Sequence, residues 1–190
     1  MYHDENARDT LVNEEGAMGR DQMSSGSIAL RPVKADDEEF LFRAYAGTRE
    51  LERHAARWRN GEWDAFVRMQ YEAQRCHYQT HFPDAEHWVV LRDGEPIGRI
   101  WVLRMANEIR LLDIIILPEH RGCGIGTYLI RSLQQDATAA GVRLRHSVEL
   151  DNHGARRLYE RLGFTTVETH GLHRLMEWNP SGDNAALRQR

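Results

Sequence analysis

The segment Leu111–Leu133, LLDIIILPEHRGCGIGTYLIRSL, leaves a chain few ways to fold. A run of leucines and isoleucines, broken by one aspartate, ends at Pro118. Arg121-Gly122-Cys123-Gly124-Ile125-Gly126 comes next, and Ile125, Leu129, Leu133 and Ala137 then fall on one stripe at helical spacing. The run over 108–118 is apolar on both faces, which predicts a central strand covered on both sides. Successive glycines let backbone N–H groups point into one concavity without Cβ atoms in the way. The helix that starts there adds partial positive charge, and Arg121 adds a full one. The junction reads as a cradle for a pyrophosphate.

Two familiar phosphate binders do not fit. A P-loop needs a lysine before its Ser or Thr, and Gly126-Thr127 has none. A dinucleotide-binding turn has the spacing GxGxxG and an acidic residue roughly 20 positions on. Here the spacing is GxGxG, Arg143 and Arg145 occupy that region, and Glu149 comes late.

The rest of the chain supplies a layered α/β domain. SIALRPV (27–33) alternates as a short strand. A helix follows with Asp36 as N-cap and Glu39 at capping-box spacing. A second helix covers roughly 62–80 and stops before Pro83. Residues 87–104 form a hairpin around Asp93-Gly94. After the glycine turn, Gly141 ends the helix and 143–150 is another strand. Asn152 caps a short helix bearing Ala155, Leu158, Tyr159 and Leu162, and 164–178 is a last hairpin. The order predicts a mixed sheet with helices packed on it. Residues 1–26 and 180–190 are polar, without apolar periodicity, and are expected to be unstructured.

Composition narrows the function classes. Of 190 residues, 41% are hydrophobic and 28% charged, which suits a globular domain. No apolar run approaches the ~18 residues of a membrane span. The N-terminus has no apolar signal core, and Cys76 and Cys123 make no disulfide framework, so a cytoplasmic chain with reduced thiols is expected. A net charge of −4 is poorly suited to nucleic acid. His77 and His81 lie one helical turn apart, but nothing is spaced to complete a ligand set, so no metal is expected. The exposed edges of the final hairpin could pair in a homodimer.

The arginine-led glycine turn after a strand, followed by a helix, then Asn152, Ala155 and Leu158-Tyr159-Glu160-Arg161-Leu162-Gly163-Phe164, resembles the GNAT superfamily of acetyl-CoA-dependent N-acetyltransferases. The resemblance covers roughly 28–178 and is most specific over 111–164. It implies a GNAT-like domain over 27–179, with a mainly antiparallel central sheet and helices on both faces. It implies that Arg121, Gly122, Cys123, Gly124, Gly126 and Thr127 hold the coenzyme pyrophosphate. Ile114 and Ile116 would pair with the pantetheine arm, Asn152 would contact the coenzyme, and Tyr159 would sit near its sulfur. Cys123 departs from the family pattern, in which that position is more often basic or polar. The implied function is acetyl transfer to a primary amine of a small molecule or peptide by direct attack in a ternary complex. A module that holds acetyl-CoA as a sensor, and a nucleotide-binding domain using the same cradle, are the rivals.

Such chemistry needs a polarised thioester, a neutral amine and a proton or hydrogen bond for the leaving thiolate. Backbone N–H groups near Ile115 and Ile116 suit the first role and Tyr159 the third. For the base there are two candidates. Asp113 is a lone carboxylate inside LLDIII, with Arg99 as an alternative structural partner; Glu149 lies near the next strand end. On the helix near 62–80, Trp63, Phe66, Val67, Met69, Ala73 and Tyr78 span an apolar arc with Gln70, Gln74 and His77 in its middle. A polar row in an apolar arc is costly in a dry core, so these three are expected to line the acceptor groove or to form a satisfied buried network.

Overall fold

Asp93 and Gly94 both adopt positive φ, 53° and 87°, as a two-residue hairpin turn of the I′ kind requires. They join β2 (Glu86–Arg92) to β3 (Glu95–Arg104) at the centre of the computed structural model, which describes residues 26–55, 57–59 and 61–182. The terminal segments expected to be unstructured lie almost wholly outside these residues. With β1 (Ile28–Pro32), β4 (Glu108–Ile116), β5 (Arg143–Glu149), β6 (Thr165–His170) and β7 (His173–Trp178), they form a seven-stranded sheet in the order β1-β2-β3-β4-β5-β7-β6. Every neighbouring pair is antiparallel except β4 with β5.

Helices cover both faces. On one, α4 (Ile125–Ala140) and α5 (His153–Arg161) bury Ile125, Leu129, Ile130, Leu133 and Tyr159 against Ile100, Val102, Leu111 and Leu144. On the other, α1 (Glu38–Ala46) and α3 (Glu62–His81) bury Leu41, Tyr45, Trp63, Val67 and Tyr71 with Ile115. A short α2 (Glu50–Ala55) links them. Among the described residues no helix is long and apolar enough to cross a membrane.

The central strand serves both cores through a change of phase. Trp101 pairs with Asp113 but Val102 with Leu111, so Leu112 is bulged out of β4. Before it, Ile109 and Leu111 face the α4/α5 core; after it, Ile114 and Ile116 do. Asp113 and Ile115 are thereby turned toward α1 and α3, where a regular strand would have sent Leu112. At Gly98 on β3, an added Cβ would lie 2.2 Å from the Ile115 carbonyl oxygen, so only glycine lets the two strands approach this closely.

Two local expectations need correction. Asp36 is exposed and does not cap; Asp37 takes the N-cap position of α1 without a side-chain cap bond, its carboxylate instead accepting from the Lys34 N–H at 2.7 Å while the Arg31 guanidinium holds both its oxygens. That pairing lowers its pKa to about 2. The buried stripe of α3 is Trp63, Val67 and Tyr71, so the helix is turned most of a right angle from the expected arc. Met69, apolar by type, is 57% exposed.

Candidate active site

β4 and β5 part company partway along. Their bonded pairs run from Glu108 with Arg143 to Leu111 with His146 and then stop. Beyond that point β4 still pairs with β3 as far as Ile116, and β5 still pairs with β7 as far as Glu149. The closed end is pinned by charge: Glu108, 3% exposed, meets Arg143 at 3.3 Å, Arg145 at 3.2 Å and Arg110. At the fork His146 uses its own ring, its Nδ1 lying 2.7 Å from the Leu111 carbonyl oxygen. That contact makes Nδ1 the protonated nitrogen, because a carbonyl can only accept. Burial lowers the His146 pKa, which keeps the ring neutral.

The open edge of β4 leads directly to the glycine turn, where Arg121 Nε donates to the Ile116 carbonyl at 2.8 Å. Gly122 and Gly124 take φ values of 76° and 80°, a region that L side chains rarely enter. Gly124 is the N-cap of α4. Among the described residues, no backbone or side-chain acceptor takes an N–H between Gly122 and Thr127; the first to be bonded is Tyr128, to Gly124. A row of unanswered amides at the positive end of a 16-residue helix is what an anionic linker needs. Gly122 to Gly124, including Cys123, are exposed.

The fork opens into a cavity of about 260 Å³ that passes through the sheet. On its α5 side stand Asn152, Ala155 and Tyr159. Asn152 caps α5, its side-chain oxygen accepting from Ala155 N at 3.0 Å. Tyr159 is 2% exposed, its ring 4.8 Å from His146 and 5.2 Å, edge-on, from Phe164. Its hydroxyl has no hydrogen-bond partner among the described residues. Burial, and then the charge of Asp113, push its pKa above the usual phenol value.

The opposite wall combines β4 with α1, α3 and the corner between α1 and α2. Tyr78 donates to the carbonyl of the bulged Leu112 at 3.2 Å. Arg99, 3% exposed, donates to Asp113 at 2.9 Å and to Gln74 at 2.6 Å. Its guanidinium carbon lies 5.8 Å from the rings of both Tyr45 and Tyr71. Glu149, at the end of β5, is 48% exposed and lies 4.0 Å from Arg49.

The structure therefore brings Tyr159, Asp113, Glu149, Ile114, Asn152 and Gln74 to one cavity. Gln70 and His77 do not line it. His77 is exposed, its ring tilted against His81 at 4.2 Å, because the turn of α3 leaves only Gln74 of the polar row facing β4. Tyr45, Thr48, Arg49, His146 and His173 also line the cavity and carry no sequence motif. Among the described residues no group of three or more His, Cys, Asp or Glu side chains could hold a metal.

Comparison with known proteins says which family carries this forked sheet and glycine turn. Residues 50–164 match the profile of the Acetyltransferase (GNAT) family, and the chain belongs to it. Mycothiol acetyltransferase of Corynebacterium efficiens is 30% identical over 112 residues, 58% of this chain and 36% of the relative. The chain thus spans about a third of that protein's length. Aminoalkylphosphonate N-acetyltransferase of Salmonella typhimurium is 30% identical over 105 residues, 50% of this chain and 68% of the relative. The solved structure of PaiA N-acetyltransferase from Thermoplasma acidophilum in complex with coenzyme A superposes with a TM-score of 0.62. It covers 80% of this chain and 99% of that one at 22% identity, which shows the shared fold.

Proposed function

We propose that the chain transfers an acetyl group from acetyl-CoA to a primary amine of a small molecule or peptide, by direct attack with both substrates bound. The observation that carries this reading is the fork between β4 and β5, whose open edge runs into the unanswered amides of Gly122–Thr127. Those amides and Arg121 would hold the pyrophosphate. The edge of β4 at Ile114 and Ile116 would take the pantetheine arm as an added strand, and Asn152 would contact it. Acetyl-CoA supplies the activated thioester.

The chain's own residues supply the rest. A lysine-like ammonium with a pKa near 10.4 is neutral about once in a few thousand at pH 7, a cost near 4.6 kcal/mol, so a proton acceptor helps. Asp113 is tied to the buried Arg99 guanidinium, which makes it a poor one. Glu149 lies at the cavity's solvent side with only a 4.0 Å ion pair, and takes the proton at a carboxylate oxygen, directly or through water. Amides of β4 beyond the fork polarise the reacting carbonyl. The Tyr159 phenol, with its raised pKa, acts as a hydrogen-bond donor to the departing sulfur and retains its own proton.

A thermal-shift comparison of coenzyme A with ATP and NAD, followed by thiol release across an amine library, tests the reading. Protection by coenzyme A and amine-dependent thiol release are expected. Protection by ATP or NAD alone would favour a nucleotide-binding domain. Coenzyme binding without any amine-dependent release would favour a sensor.

A further inference from the structure

We infer that Arg49 anchors an acidic group on the acceptor, so that the preferred acceptor is a small zwitterionic amine of the amino-acid class. This rests on the acetyltransferase reading of the same cavity and adds its substrate class. Among the described residues lining the cavity, Arg49 is the one arginine or lysine. The buried Arg99 behind it is already held by Asp113 and Gln74.

Arg49 is placed firmly. Its N–H closes on the Ala46 carbonyl at 3.0 Å, and the Thr48 N–H and hydroxyl both close on the Tyr45 carbonyl, at 2.9 and 2.7 Å. The guanidinium lies 5.4 Å from the centre of the Tyr45 ring. Nη1 binds Glu52 at 2.8 Å, while Nε is sealed from solvent without a partner. The side chain is 28% exposed and lines the cavity. With Nη1 on Glu52 and Nε sealed, Nη2 is the guanidinium nitrogen left to give an acidic group a charge-assisted hydrogen bond.

The neighbouring charges give the direction. Asp113 is neutralised by Arg99, which leaves Arg49, with its Nη1 on Glu52 at 2.8 Å, standing 4.0 Å from the half-exposed Glu149. An amine and an acid on adjacent carbons match that pair. The volume of about 260 Å³ must also admit the acetyl end of the coenzyme, which favours a compact acceptor.

The test compares free amino acids with their carboxamides as acceptors, by thiol release, in the full-length chain. Wild type is expected to use the best acid with kcat/KM about tenfold or more above its amide, the difference lying mainly in KM. Arg49→Gln brings the acid-to-amide ratio close to one, and Arg49→Lys restores part of it. Calorimetry supplies a readout apart from turnover. Arg49→Gln weakens binding of the N-acetylated amino acid about tenfold while coenzyme A affinity stays within about twofold. Amides used as well as acids by wild type, or both lowered alike by Arg49→Gln, would overturn this inference alone. No thiol release with any amine would overturn the acetyltransferase reading and this inference with it.

Discussion

Arg99 Nε donates to Asp113 Oδ2 at 2.9 Å from a guanidinium that is 3% exposed. The bulge at Leu112 makes this pairing by sending Asp113 to the α1/α3 face, where the Arg99 guanidinium lies over Tyr45 and Tyr71. A carboxylate so placed balances a buried charge. Asp113→Asn should therefore lower unfolding free energy by about 3 kcal/mol, because Arg99 stays charged without its partner. Urea unfolding measures this. The pH dependence of kcat/KM for the folded fraction should not move; loss of its acidic limb would make Asp113 the base.

Glu149 is the opposite case, half exposed at the mouth of the fork. Glu149→Gln should lower kcat about 100-fold and flatten the acidic limb of the pH–rate profile. Coenzyme A affinity should stay within about twofold. An unaltered profile would remove Glu149 from the mechanism.

Tyr159→Phe keeps the ring contacts with His146 and Phe164 and loses no hydrogen bond within the described residues. Stability should hardly change. A lost hydrogen bond to the leaving sulfur should appear as a fall of about tenfold in kcat, with coenzyme affinity retained. Equal turnover by Tyr159→Phe would contradict the assignment.

His87 and His146 make acid stability a sharp readout of the fold. Burial lowers the His87 pKa to about 3, against Trp101 with Arg99 nearby, and lowers that of His146 as well. Below the unfolded value near 6.5, the unfolded chain binds protons that the folded chain refuses. Stability is thus complete above pH 6.5 and falls as pH drops toward the folded values, by up to about 1.4 kcal/mol per unit for each ring. Tm measured from pH 7 to 5 should fall, and His87→Gln should make it fall less steeply.

Much of this site is legible in one stretch of sequence. The strand, the glycine turn and the helix over 111–140 depend on local chemistry: β-branched runs, positive φ at Gly122 and Gly124, and helical periodicity. The Leu158–Phe164 motif places Tyr159 in the same way. The opposite wall is not legible, because it depends on tertiary packing. Residue type marked Met69 and Ala73 as buried and passed over Tyr71, yet Tyr71 is 1% exposed. The axis of α3 follows its contacts with Leu41, Tyr45 and Phe42, which no pattern within the helix encodes. Arg49 lies in a polar stretch like many others and gains its place only where the corner of α1 and α2 meets β5. The phase change at Leu112 leaves no trace in a run of isoleucines and leucines.

Calorimetry with coenzyme A tests the central claim most directly, comparing wild type with Gly122→Val. Nothing lies within 4 Å of a Cβ at Gly122, so the substitution introduces no clash there and acts by opposing a φ of 76°. One-to-one binding by wild type, weakened at least about tenfold in a Gly122→Val protein that remains folded, is the expected result. Undiminished affinity in that variant, or no binding of coenzyme A by wild type, would contradict the account.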